Sequence, residues 1–179
     1  MSKVAIVFGT DTGYTRKIAK LVAKKLGADI ADKPVNINRL SLDQFLAYDA
    51  LILGTPTYGE GVLPGTSTGI DAGSWAEFLP QLQGHDLSAK TIALYGFGDQ
   101  LKYPTSYVSA MGDLYQALAE KGAKMIGSWP TQGYTFEHSS AVVDDVFVGL
   151  ALDEKNQGAL TQQRVEQWLE EVKPALLGS

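Results

Sequence analysis

The sequence has 179 residues, 45% of them hydrophobic and 20% charged, which predicts a single domain spanning residues 1–179. It has no cysteine and only two histidines, His85 and His138, which excludes disulfide scaffolds, iron–sulfur clusters and thiol catalysis and argues against a metal site. The net charge of −5 argues against nucleic acid as a partner, and no apolar run suits a signal peptide or a membrane span. We therefore expect a cytoplasmic protein and predict a monomer.

Five short segments are predicted to form strands. Four of them are continuously apolar, as expected for parallel strands that are buried on both faces of a sheet. These four are Val4–Phe8, Ala50–Leu53, Thr91–Tyr95 and Ala123–Ile126. The fifth, Val35–Asn38, alternates between apolar and polar residues and fits a more exposed strand.

Apolar residues recur at helical spacing between these strands. The pattern predicts amphipathic helices along 18–26, 108–118 and 165–176, and Ser74 with Glu77 has the spacing of a capping box before a shorter helix. Alternating strands and helices predict a three-layer α/β fold with a five-stranded parallel sheet, which binds ligands at the carboxyl ends of its strands. The segment 127–149 is too long for an ordinary connection, and its aromatic and β-branched residues predict β-structure on the edge.

The first candidate binding loop follows the first strand and leads into the first helix. Threonine hydroxyls and backbone N–H groups at a helix N-terminus suit a phosphate group, and the first turn of this helix has no acid to compete with it. The residues are Thr10, Asp11, Thr12, Gly13, Tyr14 and Thr15. Their spacing is neither that of a Walker loop nor that of the dinucleotide fingerprint. The alternative is a plain helix cap built from Thr12.

The loops after the third and fourth strands each carry a tyrosine among glycines. Tyr58 lies in the second loop, and Tyr103 lies in the third together with Asp99. Taken singly, such a tyrosine is more often a packing residue and such an aspartate more often a turn residue. Together, a phosphate site, two aromatic rings and exposed backbone groups, without a nucleophile–base pair, favour a phosphorylated planar ring as the ligand over hydrolysis.

These loops give the sequence its resemblance to a known family. The segments Thr10–Thr15, Thr55–Gly59, Gly98–Tyr103 and Phe147–Asp153 resemble those of long-chain flavodoxins, and the resemblance covers nearly the whole chain. Residues 64–74 resemble an extra loop of nitrogen-fixation-type members. The resemblance implies a flavodoxin-like, doubly wound sheet with strand order 2-1-3-4-5, in which 127–149 is the insertion that splits the last strand.

The resemblance also implies noncovalent binding of FMN. By similarity, the first loop holds the phosphate, Tyr103 stacks on the outer face of the isoalloxazine ring, and Tyr58 covers the inner face, where many members have Trp. Asp99 addresses the pyrimidine edge, and Asp153 is a peripheral contact near the ribityl chain or the phosphate. The other implied contacts are Thr55, Pro56, Thr57, Gly59, Phe97 and Gly98.

The implied function is that of a low-potential one-electron carrier, not an enzyme, with FMN cycling between semiquinone and hydroquinone. The Gly59–Glu60 peptide matches the unit that flips when the flavin gains its first electron, and glycine lowers the cost of that flip. Rings and acids, rather than a cation, are expected near the flavin, which disfavours the anionic hydroquinone. The implied partners are redox proteins with basic docking patches: the nitrogenase iron protein as acceptor, and a flavodoxin reductase or another oxidoreductase as donor.

Charge is unevenly distributed along the chain. Residues 1–39 carry eight Lys and Arg against three acids, whereas residues 40–89 carry six acids and no Lys or Arg. By composition alone, a solvated acidic surface and a charge dipole that orients the molecule toward a basic partner are equally good interpretations. The resemblance favours the steering role.

Other functions stay open at this point. A general flavodoxin could serve other reductases. An FMN-dependent NAD(P)H–quinone reductase would need space over the ring and cations for the nucleotide phosphates, and the second loop has no Lys or Arg. A phosphoacceptor receiver domain would need clustered acids after the first strand, where only Asp11 stands.

Overall fold

The computed structural model describes residues 3–10 and 13–178, and its central sheet is entirely parallel. The strands of this sheet are β1 (Ala5–Phe8), β2 (Val35–Asn36), β3 (Ala50–Pro56), β4 (Thr91–Phe97), β5 (Lys124–Ile126) and β9 (Leu150–Leu152). Their order is β2-β1-β3-β4-β5, with β9 also paired to β4. This confirms the predicted fold class and strand order.

The last strand is split in two by the insertion. One half, β5, pairs with the start of β4, where Lys124 lies opposite Thr91, and the other half, β9, pairs with the end of β4, where Leu152 lies opposite Phe97. Between them, β6 (Trp129–Pro130), β7 (Val142–Val143) and β8 (Val146–Phe147) form a small antiparallel sheet in the order β6-β8-β7. The β-structure predicted for 127–149 is thus present.

Helices cover both faces of the sheet. They are α1 (Tyr14–Leu26), α2 (Leu42–Ala47), α3 (Trp75–Phe78), α4 (Ser109–Ala119), α5 (Glu154–Gln157) and α6 (Thr161–Leu176). The Tyr95 hydroxyl donates to the Thr15 carbonyl of α1 (2.8 Å), whereas a Cβ on the next residue, Gly96, would lie 3.0 Å from Met111 of α4. Because successive strand residues point to opposite faces, α1 and α4 lie on opposite sides of the sheet.

The second strand is shorter than predicted. Only Val35–Asn36 is a strand, and Ile37–Arg39 forms a turn of 3₁₀ helix instead. The reason is local, because the Asn36 side chain accepts the N–H of Asn38 (3.2 Å), a side-chain bond that competes with the strand ladder.

The three tryptophans are buried, and the two histidines are exposed. Trp75 and Trp168 have no exposed surface and Trp129 is 6% exposed, which fits packing roles, whereas His85 and His138 are on the surface. Half of the predicted capping box is present at the start of α3: the Glu77 carboxylate accepts the N–H of Ser74 (2.9 Å), but the Ser74 hydroxyl makes no hydrogen bond to the described residues. Within the described residues, no helix combines the length and the apolar character needed to cross a membrane.

Candidate cofactor site

Three loops meet at the carboxyl edge of the sheet, because the strands that they follow lie side by side. β1 pairs with β3, and β3 pairs with β4. Backbone hydrogen bonds continue this pairing into the loops, since the Gly9 N–H donates to the Gly54 carbonyl (3.1 Å) and the Thr57 N–H donates to the Phe97 carbonyl (3.0 Å). The three loops singled out in the sequence therefore lie next to one another at this edge.

The first loop is held by contacts at both of its ends. Thr10 is 4% exposed, and its carbonyl accepts a hydrogen bond from the Asn36 side-chain amide at the end of β2. Thr15 is 2% exposed, and its carbonyl accepts the Tyr95 hydroxyl (2.8 Å). Both threonines are thus fixed to neighbouring strands, and Asn36 is a support that the sequence analysis did not identify.

Helix α1 begins within this loop. Gly13 is its N-cap with φ +89°, a conformation that favours glycine, and the first turn contains no acid. The first N–H groups of a helix have no partner within the helix and lie at the positive end of its dipole, so they suit an anion. The Tyr14 ring is 44% exposed and lies 6.0 Å from the Phe97 ring, which links the first loop to the end of β4. Asp11 and Thr12 fall outside the described residues.

A buried hydroxyl lies beside the start of the first loop. A Cβ atom on Gly9 would lie 2.2 Å from the Trp75 indole and 2.8 Å from the Ser74 Oγ, so only glycine allows this approach. The indole Nε1–H donates to the Gly54 carbonyl (2.9 Å). Ser74 Oγ is buried and has no hydrogen-bond partner among the described residues. A buried polar atom left in this way is costly unless something bonds to it.

The second loop holds itself by short-range backbone bonds. Tyr58 and Val62 exchange two hydrogen bonds, from the Tyr58 N–H (3.0 Å) and from the Val62 N–H (2.8 Å), and the Gly61 N–H also donates to the Tyr58 carbonyl (3.2 Å). Gly59 has φ +50° at the exposed tip, and a Cβ there would meet nothing within 4 Å. Tyr58 itself is half-buried.

The residues before the second loop are more deeply set. Thr55 is fully buried, and its hydroxyl donates to the carbonyl of Pro56 (2.9 Å). The Thr57 hydroxyl accepts the N–H of Ala110 in α4 (3.2 Å). The bond from Ala110 joins the end of β3 to α4.

The third loop is fastened to a fully buried carboxylate. Asp153 has no exposed surface, and one of its oxygens accepts both the backbone N–H (3.0 Å) and the side-chain amide (2.8 Å) of Gln100. The Asp153 carboxylate also accepts the backbone N–H (3.0 Å, at Oδ1) and the side-chain amide (2.9 Å, at Oδ2) of Asn156. The Gln100 side-chain oxygen accepts the N–H of Thr135 in the insertion. Asp153 therefore supports the loop from within the protein.

Asp99 organises the exposed part of the third loop. Its Oδ1 accepts the Lys102 N–H (2.9 Å), the Leu101 N–H (3.2 Å) and the Asn156 amide (2.8 Å). Burial raises the pKa of Asp99, but hydrogen bonds from Lys102, Asn156 and Leu101 and the Lys102 charge outweigh burial, so the pKa lies below its usual value. The carbonyl of Asp99 accepts the N–H of Tyr103 (2.9 Å).

A cation lies close to this part of the site, contrary to the expectation of rings and acids alone. Lys102 Nζ lies 5.5 Å from the centre of the Tyr103 ring, within the range of a cation–π contact.

Gly98, at the start of the third loop, packs closely against the core. Its N–H donates to the Leu152 carbonyl (3.1 Å), and a Cβ on Gly98 would lie 2.9 Å from the Tyr107 ring. Gly98 is therefore needed for the close approach of loop and core.

The acidic run 40–89 does not form one surface around the site. Its six acids are all exposed, but Asp49 precedes β3 and Asp86 precedes β4, which puts both at the amino edge of the sheet. Glu60, by contrast, lies at the tip of the second loop on the carboxyl edge. The Glu77 carboxylate accepts hydrogen bonds from the Ser74 N–H and the Thr66 hydroxyl. Only part of the acidic run can therefore face a partner that docks at the site.

Comparisons with known proteins identify the family. The model of the family described as flavodoxin matches residues 6–168. The chain belongs to the flavodoxin family. A flavodoxin of Klebsiella pneumoniae is 54% identical over 99% of this chain and 100% of that protein, and a second flavodoxin of the same species is 41% identical over 98% and 96%. Flavodoxins are electron-transfer flavoproteins rather than enzymes.

A solved structure of a flavodoxin is similar over the whole fold. The flavodoxin of Fusobacterium nucleatum, bound to flavin mononucleotide, is 31% identical and superposes with a TM-score of 0.86 over 98% of this chain and 99% of that one. Length and the split last strand agree with the long-chain type. The predicted family is thereby confirmed.

Proposed function

We propose that the chain binds one FMN noncovalently at the carboxyl edge of the sheet and carries single electrons between redox proteins. Membership of the flavodoxin family and the FMN-bound relative support this. The observation that carries the proposal is the convergence of a threonine-bearing helix start and two tyrosine-bearing loops on one edge. FMN would supply the redox chemistry, because its ring accepts and returns electrons one at a time. In this proposal the protein acts in the cytoplasm as a single-domain monomer.

The first loop fits a phosphate group. The hydroxyls of Thr10 and Thr15 and the first N–H groups of α1 are hydrogen-bond donors at the positive end of a helix whose first turn has no acid. The buried Ser74 hydroxyl is an additional donor beside Gly9. We assign Asp11, Thr12, Gly13 and Tyr14 to the same phosphate loop, with Thr55 behind it.

The second and third loops fit the two faces and one edge of a flat ring. We assign Tyr103 to the outer face and Tyr58 to the inner face, since aromatic rings stack on planar ligands. Asp99 holds its own loop by accepting two backbone N–H groups, so that the backbone near Phe97 and Gly98 can meet the polar edge of the ring. Asp153 is fully buried and has no surface for contact with the ring, so we assign it a positioning role through Gln100.

The tip of the second loop is suited to adapt to the redox state. Gly59 has no Cβ and no neighbour that would restrict it, so the Gly59–Glu60 peptide can turn its carbonyl toward or away from the ring at low cost. Pro56 and Thr57 anchor the loop where it leaves β3, and Thr57 is bonded to Ala110. Movement is therefore confined to the tip.

Binding of FMN is tested by titration of the protein with FMN, followed by quenching of flavin fluorescence. We expect saturation at one FMN per chain, and about tenfold weaker binding by Thr15→Val, which removes one hydroxyl without a change in shape. Thr91→Val makes the same change at the amino edge and should leave the affinity unchanged. A protein that is colourless as purified and does not take up FMN would contradict the proposal.

Electron transfer is tested on the FMN-loaded protein by stepwise anaerobic reduction. Absorbance should change in two separate one-electron phases. NADPH added without a reductase should leave the spectrum unchanged, since a carrier has no site for the nicotinamide. Rapid bleaching by NADPH alone would instead indicate an FMN-dependent quinone reductase.

We further propose that the acceptor is the nitrogenase iron protein, docked through a basic patch. Two features support a dedicated partner: the extra loop 64–74, and the greater identity to one Klebsiella pneumoniae flavodoxin than to the other. Because the acids are divided between the two edges, we assign docking to Glu60 and Asp71, which lie on exposed loops beyond β3. Charges of opposite sign raise the rate of encounter more than the final affinity.

The partner is tested by stopped-flow mixing of the reduced protein with nitrogenase iron protein. The rate of electron transfer should fall as salt concentration rises. Glu60→Gln should lower the rate at low salt, whereas Asp86→Asn removes the same charge at the amino edge and should have little effect. A rate that does not depend on salt, or that falls equally in both variants, would contradict docking at this edge.

A further inference from the structure

A basic cavity of about 450 Å³ lies beside the cofactor site. It opens between α1, the edge strand β2 and the loop 64–74. Four cationic side chains line it: Arg16 and Lys20 from α1, Lys33 before β2, and Arg39 after it. None of the fourteen described residues assigned to the cofactor lines this cavity, so it is a separate site.

No acid among the described residues balances the charges in this cavity. Among the described residues, no acid lines the cavity. The two ion pairs between described side chains, Lys3–Asp32 and Lys25–Glu166, involve none of the four cations. Asp32 is next to Lys33 in sequence, but its carboxylate accepts the Tyr48 hydroxyl (2.6 Å). Like charges one helical turn apart destabilise a helix, so four cations together carry a cost in a chain with a net charge of −5.

The walls of the cavity are fixed before any ligand arrives. The Asn36 side-chain amide donates to the Thr10 carbonyl, and the Asn38 amide donates to the Gly73 carbonyl (3.0 Å). These bonds join β2 to the first loop, and the 3₁₀ turn after β2 to the loop 64–74. A preformed cavity binds with less loss of conformational entropy than one that must be ordered. Val35 and Ala72 add apolar surface between the cations.

We propose that this cavity binds a small molecule that carries a diphosphate group. Four cations around one concave site attract an anion of several charges more strongly than a single carboxylate, and Arg pairs with phosphate oxygens in a bidentate manner. The volume is that of a small-molecule site. The apolar surface near Val35 can take an organic group attached to the diphosphate.

The proposal is tested by NMR titration of the ¹⁵N-labelled protein at saturating FMN with pyrophosphate, ADP and adenosine in turn. Pyrophosphate and ADP should shift the amide signals of Lys33, Val35, Arg39 and Ala72 with a Kd below about 1 mM, and adenosine should not. Tighter binding of ADP than of pyrophosphate would show that the organic group is also bound. The same titration without added FMN should give the same shifts.

Charge variants separate this site from general attraction of anions. Lys33→Gln/Arg39→Gln should weaken pyrophosphate binding at least about tenfold. Lys121→Gln/Lys155→Gln removes two cations elsewhere and should leave it within about twofold. Lys20→Gln alone should give an intermediate loss, and it provides a second test if the double variant unfolds.

Several results would overturn the proposal. One is the lack of saturation by pyrophosphate at concentrations about ten times the expected Kd. Another is an equal loss in the two double variants, which would mean that only net charge matters. A third is binding that disappears when FMN is added, because the probe would then have occupied the phosphate loop of the cofactor site.

Discussion

The second and third loops bear the two tyrosines of the proposed cofactor site, but they are held in opposite ways. The third loop is tied to remote parts of the chain, since Gln100 bonds both Asp153 and Thr135. The second loop is tied mainly to itself, through the two backbone bonds between Tyr58 and Val62. The remote bonds fix the surface of the third loop, whereas the tip of the second loop is exposed and is restrained only by local bonds.

This difference suits a cofactor whose electronic state changes while it stays bound. One wall of the site has to keep its position so that affinity is retained in each state. The other has to adjust a hydrogen-bonding group by rotation of one peptide, which glycine at position 59 permits.

Removal of the anchor of the third loop should give the largest effect. Asp153→Ala leaves the buried backbone and side-chain N–H groups of Gln100 without their acceptor. We expect the free energy of unfolding to fall by about 3 kcal/mol, because buried donors would lose both protein and water partners. Urea unfolding of the FMN-free protein measures it. Glu171→Ala, an exposed change on α6, is the control, and an equally small effect in both variants would mean that Asp153 is not an anchor.

The two tyrosines should differ in their contribution to FMN affinity. Tyr103→Ala should weaken FMN binding by about 2 kcal/mol, or roughly 30-fold, because stacking on a fixed ring is worth about 1–3 kcal/mol. Tyr58→Ala should cost about 1 kcal/mol, since its loop can move. Fluorescence titration of both variants gives the two values. Equal losses, or a larger loss at Tyr58, would show that the second loop is as firmly held as the third.

Gly59→Ala tests whether the adjustable tip matters for electron transfer. The structure has φ +50° at this position, where a Cβ costs about 1 kcal/mol by backbone strain although it meets no neighbour. A change of that size corresponds to about 45 mV in a one-electron potential, and a tip that changes conformation on reduction should shift the first potential of bound FMN by about this amount. Spectroelectrochemical titration measures it.

The matched control for this change is Gly69→Ala. Gly69 is also exposed, has φ +94°, and has no neighbour within 4 Å of an added Cβ, but it lies outside the second loop. The control should lose a similar amount of stability without a shift in potential. If both variants keep the potential of the original protein, the tip has no part in tuning it.

The loops could be predicted from the sequence because each directly follows an apolar strand of a parallel sheet. Thr10, Tyr58 and Tyr103 come soon after such strands, and the carboxyl ends of adjacent parallel strands share an edge. The supports of the loops could not be predicted in this way. Gln100 and Asp153 are 53 residues apart, so no local pattern relates them.

The acidic run 40–89 shows that residues close in sequence need not lie close together in the fold. Asp49 and Glu60 are close in sequence, but β3 runs between them and carries them to opposite edges of the sheet. A contiguous charge block was therefore not a contiguous surface. The basic cavity shows the opposite case, since Lys20 of α1 and Lys33, just before β2, belong to separate segments of the chain but line the same cavity. Charge patterns become informative only after the strand directions are known.

The smallest effect concerns the pH dependence of the third loop. Hydrogen bonds hold the pKa of Asp99 below its usual value in the folded protein, so its contribution to stability is present above the unfolded pKa of about 4 and is lost as the pH falls through the folded pKa. Asp99→Asn should therefore be less stable above about pH 5 by less than 1 kcal/mol, since the carboxylate is partly exposed, and this difference should shrink below about pH 4.

Urea unfolding between about pH 3 and pH 7 measures this difference, and Asp29→Asn, an exposed change after α1, serves as the reference. If the gap between Asp99→Asn and the original protein stays constant over the whole range, the bonds from Lys102 and Leu101 do not favour the ionised carboxylate. The third loop would then owe its position to Asp153 alone, and the contrast with the second loop would rest on a single buried group.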